Sequence, residues 1–222
     1  MEYIKYFESF EQDNKFDYTI DDIKEILNLR GVKFDYIKYL DCGGYGNVFE
    51  IDSNTILKIT TMDNEVYYAN KIKDIESKYL IDIKDVFFHS YTHYGYNVKN
   101  GFIIMEKLNI DLNNRFNNFI YYLHLNNPLS DRYKFAKPNE VYDFFKDRLK
   151  SLEYEDIIEM WNQYVNIRNV LEKYNLPKDD LRARNIGFRN NTPVFFDISN
   201  IYTSKNYNYS KIDVIKHYIN VY

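Results

Sequence analysis

The spacing of apolar residues changes character near residue 107, and that change limits the fold more than any single motif. Before it, short apolar runs such as Val48 to Ile51, Thr55 to Thr60, Leu80 to Phe88 and Gly101 to Glu106 are separated by Gly, Asn and Asp. After it, residues 110–124 and 153–174 carry apolar residues at helical spacing, including Ile157, Ile158, Trp161, Tyr164, Val165, Val170 and Leu171. Strand-like runs return once, at residues 185–196. Segregation of strands from helices predicts an α+β chain rather than an alternating parallel one. With 222 residues it is long enough for two small lobes sharing a cleft, a strand-rich one over 1–106 and a helical one over 107–222.

Local signals fill in this outline. Thr19 precedes Ile20 to Leu27 with an acidic first turn, and Gly31 follows, which punctuates a helix at both ends. Residues 33–40 read as a strand, 64–75 as a helix with Glu65 in its first turn, and 139–151 as a shorter helix. Asp52-Ser53-Asn54 joins two strands into a hairpin, with Lys58 in the second among Ile56, Leu57 and Ile59. Lysines in strands usually face solvent, so Lys58 taken alone favours an ordinary surface role. A loop rich in Tyr, His, Gly and Asn is expected between Phe88 and Gly101, and a polar, proline-punctuated connection over 125–139.

The chemistry concentrates in residues 180–197. Asn185 to Phe188 and Pro193 to Phe196 flank Arg189-Asn190-Asn191-Thr192, four turn-prone residues, so the stretch reads as a tight hairpin. A hairpin returns its ends to one place, which brings Asn185 close to Asp197. Mg²⁺ takes hard oxygen ligands, usually one or two protein groups completed by water and phosphate. Asn185 and Asp197 supply an amide oxygen and a carboxylate. Asp180, on the preceding loop, is placed to take a nucleophile's proton, and Arg182 and Arg184 to offset phosphate charge. The plainer alternative is a surface hairpin with polar ends, since Asp and Asn crowd loops for turn-forming reasons.

Composition narrows the setting. Lys+Arg 29 against Asp+Glu 33 gives a net charge of −4, which disfavours a nucleic-acid binder built on Arg182, Arg184, Arg189 and nearby aromatics. Tyr 24 and Phe 16, with abundant Asn, Ile and Lys, suggest an AT-rich genome such as that of a bacteriophage or a low-GC bacterium. The single cysteine, Cys42, precludes an internal disulfide and fits a reducing compartment. No signal peptide or membrane-length apolar run is apparent, so a cytoplasmic location without a membrane partner is expected.

Together these pieces resemble the protein kinase superfamily. Leu40-x-x-Gly43-x-Tyr45-Gly46-x-Val48 is similar to the glycine-rich loop, with Asp41 in place of its first glycine and Gly44 as a further glycine. Lys58 stands where the phosphate-pairing lysine is expected. Ile103 to Leu108 resembles the strand-to-hinge segment, which implies Met105 as gatekeeper and main-chain adenine contacts at Glu106 and Leu108. Asp180-Leu-Arg-Ala-Arg-Asn185 resembles tyrosine-kinase catalytic loops, and Asp197 occupies the place of the metal-binding aspartate. Ile198-Ser199 departs from Phe-Gly and looks more like the RIO-type atypical kinases.

The departures are specific. Lys178-Asp179 replaces the His-Arg that normally supports the catalytic aspartate. Glu65 is favoured over Glu76 as the partner of Lys58, because it begins the helix. Only 25 residues follow Asp197, too few for the usual activation segment and peptide-binding helices. The resemblance implies a bilobal kinase-like fold with a truncated helical C-lobe, and ATP and Mg²⁺ as cofactors. The implied activity is phosphoryl transfer to a protein side chain or a small molecule, AMP transfer being compatible with the same residues. The alternative is a pseudokinase-like protein that binds or inhibits a partner.

Overall fold

The computed structural model describes residues 18–42, 45–111, 114–125, 131–178 and 181–197. Gly43, Gly44 and Asp180 lie outside the described residues. Helix α1 (Ile20–Arg30) is followed by β1 (Lys38–Cys42), β2 (Gly46–Asp52), β3 (Thr55–Thr60), α2 (Asp63–Ile72), β4 (Ile83–His93) and β5 (Tyr96–Glu106). Helices α3 (Arg115–Leu125), α4 (Pro138–Phe145) and α5 (Tyr154–Lys173) come next, then a 3₁₀ turn (Ala183–Asn185), β6 (Ile186–Arg189) and β7 (Thr192–Phe195). Strands β1 to β5 form one antiparallel sheet in the order β1-β2-β3-β5-β4, and β6 with β7 a second. The α+β class expected from the apolar spacing is the class observed.

The large sheet is apolar on both faces because each face has its own cover. Phe49, Ile51, Leu57, Ile59, Phe102 and Ile104 pack against Ile23, Ile26 and Leu27 of α1. Those three helical residues, at i, i+3 and i+4, form one stripe. Full burial of Ile23 and Leu27 contributes roughly 1.5–3 kcal/mol each. A reciprocal capping box starts α1: Asp22 N–H donates to Thr19 Oγ1 at 3.1 Å, and Thr19 N–H donates to Asp22 Oδ2 at 2.7 Å. Gly31 ends it at φ 75°, as the sequence predicts. On the opposite face Ile103 and Met105 join Val66, Ala69 and Ile72 of α2 in a core that continues through α3, α4, α5 and Phe195.

Several boundaries differ from the sequence expectation; the helices expected at 64–75 and 110–124 are Asp63–Ile72 and Arg115–Leu125. The strand expected at 33–40 is Lys38–Cys42, irregular between Tyr39 and Asp41 where the register with β2 shifts. The loop expected after Phe88 is instead the far half of a long hairpin, with His89 to His93 paired to Tyr96 to Asn100 about Tyr94 and Gly95. The helix expected over 139–151 stops at Phe145. The β6–β7 turn is two residues, Asn190 and Asn191, at φ 49° and 64°. Asn tolerates that left-handed backbone, and the pair has the positive φ values of a primed hairpin turn.

Candidate active site

Strand register explains the lysine that looked out of place. Lys58 lies opposite Val48 on β2 and Ile103 on β5, and so shares the sheet face that Met105 and Ile56 occupy. That face looks toward α2, whose first turn carries Glu65, 7% exposed. Lys58 Nζ forms an ion pair with Glu65 Oε1 and lies 3.6 Å from Asp197 Oδ1. Burial pushes the Lys58 ammonium toward its neutral form, but the Glu65 and Asp197 carboxylates more than offset this and raise its pKa above the ordinary lysine value. Glu65, not Glu76, is the partner.

The small hairpin brings its own two ends together. Asn185 ends the 3₁₀ turn, is 3% exposed, and accepts through its carbonyl from Phe196 N–H at 3.1 Å. That bond closes the hairpin ends, setting Asn185 beside the residue that precedes Asp197. The hairpin is itself held from two sides. Phe195 N–H donates to Tyr79 O and Ile81 N–H to Phe195 O, at 2.9 and 3.1 Å, so β7 continues the segment that follows α2. Phe188 and Asn109 exchange two backbone bonds of 2.8 and 3.1 Å, which fastens β6 to the chain leaving β5. Gly187 makes that approach possible: a Cβ there would stand 2.7 Å from Leu108 Cβ.

The glycine-rich turn is fixed at its exit. Tyr45 O accepts from Thr61 N–H at 3.0 Å, and a Cβ on Gly46 would stand 2.4 Å from the Ile59 carbonyl oxygen. Val48 is half-buried beside Lys58. Met105 is 5% exposed, paired with Ile56 and Ile83. Glu106 N–H is spent on Asp82 O at 3.0 Å, and the Glu106 side chain does work that the sequence did not signal. It accepts from Asp82 N–H at 2.7 Å and from Arg189 Nε at 2.8 Å. Arg189 also donates to Leu80 O at 3.0 Å, and the Glu106 hydrogen bond raises its pKa. Arg189, grouped by sequence with Arg182 and Arg184 as a basic patch, is thus a fastener between the hairpin turn and the end of β5. Of the other two, Arg182 is half-buried and Arg184 exposed.

Among the described residues no cluster of three or more His, Cys, Asp or Glu could hold a metal ion. A cation here would depend on Asn185 and Asp197 together with oxygens brought by a ligand, which suits Mg²⁺ and a polyphosphate. No helix of the described residues is long and apolar enough to cross a membrane.

No family model and no curated protein matches the sequence. Among solved structures, APH(2'')-IIa in a ternary complex with streptomycin and ATP is 16% identical, with 82% of this chain and 71% of that one covered at a TM-score of 0.37. The aminoglycoside phosphotransferase APH(2'')-Ib bound to ADP is 16% identical, with coverage of 82% and 70% at a TM-score of 0.36. The MAP kinase LmaMPK10 of Leishmania major is 13% identical over 81% of this chain and 50% of its own length, with a TM-score of 0.40. The α+β architecture rests on the chain's own strands, register and helices, and these proteins are what it is similar to.

Proposed function

We propose that the chain is an ATP- and Mg²⁺-dependent phosphotransferase acting on a protein side chain or a small molecule. The observation that carries this is the meeting of Lys58, Glu65 and Asp197, drawn from a strand, a helix and a hairpin end. A lysine held between two carboxylates stays charged and is aimed at one position, which is what pairing with the phosphates of a nucleotide requires. Asn185 and Asp197 would hold Mg²⁺, which would supply neutralisation of phosphate charge. Asp180 orients the acceptor hydroxyl and accepts its proton, while Arg182 or Arg184 balances charge on the transferred group. Met105, Glu106 and Leu108 border the adenine, and Gly43, Gly44, Gly46 and Val48 cover the phosphates.

A pseudokinase-like binding role is the second reading. It is favoured by Lys178-Asp179 in place of His-Arg and by Asp41 in place of the first loop glycine. Incubation with γ-labelled ATP and Mg²⁺, with and without cell lysate, separates the two. Label reaching a protein or a small molecule, and lost in Asp180→Ala, supports the enzyme. Absence of transfer under every condition supports the binding role.

A further inference from the structure

The sequence lacks the His-Arg pair that would brace the loop around Asp180, yet the fold supplies a histidine from elsewhere. His124 Nε2, on the last turn of α3, is hydrogen-bonded to the backbone carbonyl of Leu181, the residue next to Asp180. A carbonyl oxygen only accepts, so His124 must carry its proton on Nε2 and donate. Its surroundings show a loop pinned at successive points. Lys71 Nζ of α2 donates to Asn175 O at 3.0 Å where α5 ends. Leu176 and Leu181 are buried, and Leu181 N–H donates to Lys178 O at 3.3 Å. Asn185 N–H then donates to Arg182 O at 2.9 Å. Leu123, adjacent to His124, is fully buried in the core that also contains Leu181, so α3 and the loop are packed together as well as hydrogen-bonded.

We propose that His124 is a positioning residue: its imidazole holds the backbone from Leu181 to Asn185 in register, in a chain whose sequence has Lys178-Asp179 where His-Arg would stand. The proposal rests on the phosphotransfer reading for its catalytic consequence, but not for its structural one. His124 bonds to the backbone of Leu181, which is not among the residues assigned to the nucleotide, so its loss should act on the ordering of the loop before nucleotide capture.

The test compares native protein with His124→Ala and His124→Gln, glutamine being able to present an N–H in place of Nε2–H. Hydrogen exchange over residues 181–186 should quicken roughly tenfold in His124→Ala, with α5 unchanged, and return toward native in His124→Gln. Turnover of γ-labelled ATP should show kcat lowered about tenfold in His124→Ala at an unchanged KM for ATP, again recovered by glutamine. Unchanged exchange in His124→Ala overturns the proposal, as does native kcat in that variant. A native protein that transfers no label refutes the phosphotransfer reading instead, and the exchange comparison then decides the role of His124 alone.

Discussion

Lys58 Nζ lies 3.6 Å from Asp197 Oδ1, although Lys58 sits within the five-stranded sheet and Asp197 lies just past the end of the two-stranded one, 139 positions further along the chain. Glu65 completes the group from α2. The hydrogen-bonded ends of the β6–β7 hairpin and the inner face of β3 therefore meet at a single ammonium group.

Removing Glu65 should be felt in both stability and binding. Glu65→Gln leaves the half-buried Lys58 with one carboxylate in place of two. The expected outcome is a loss of about 1–3 kcal/mol in urea unfolding and roughly tenfold weaker nucleotide binding by titration. Glu76→Gln should leave both at native values, because Glu76 lies past the end of α2.

The Glu106–Arg189 contact should behave as a coupled pair. Each single alanine variant strands a partner charge, and Arg189 also loses its bonds to Leu80 and Ser77. A double-mutant cycle followed by chemical denaturation should give a coupling energy of about 0.5–3 kcal/mol. Additive losses would mean that the two side chains act independently.

Gly46 is required by packing as well as by any phosphate. Its Cβ would meet a backbone carbonyl, which cannot swing aside as a side chain does. Gly46→Ala should lower stability by about 1–3 kcal/mol in the absence of nucleotide. A thermal melt of the ligand-free variant checks this.

Alkaline pH should unfold the protein through its tyrosines. Burial pushes Tyr18 up to about 12, against a smaller opposing effect of Asn100, and pushes Tyr164 to about 12 against Arg168. A raised folded-state pKa means that the unfolded chain loses the proton first. Stability from these groups is complete below the unfolded value of about 10 and is lost as pH rises toward 12. Denaturant midpoints should fall across that interval, and less steeply in Tyr164→Phe.

Part of this geometry was legible in the sequence because it obeys short-range rules. Four turn-prone residues between apolar runs return the chain so that Asn185 bonds to Phe196, the neighbour of Asp197, and a first-turn glutamate after a strand lysine sets Glu65 beside Lys58. The boundaries of α1 followed from Thr19 and Gly31. The outer half of the β4–β5 hairpin was not legible, because His, Tyr and Asn there blur the alternation that marks a strand. Nor were the tie of Arg189 to Glu106 and that of His124 to Leu181. Each spans a long sequence separation, and each depends on how packed elements happen to face one another.

The central claim, that these groups form a nucleotide site, is tested most directly by thermal melting with ATP and Mg²⁺, on native protein and on Asp197→Ala. A hundredfold excess over Kd should stabilise native protein by about 2.7 kcal/mol, a shift of several degrees that requires Mg²⁺ and is abolished in the variant. No shift for native protein with ATP and Mg²⁺, or an equal shift in Asp197→Ala, would contradict the account.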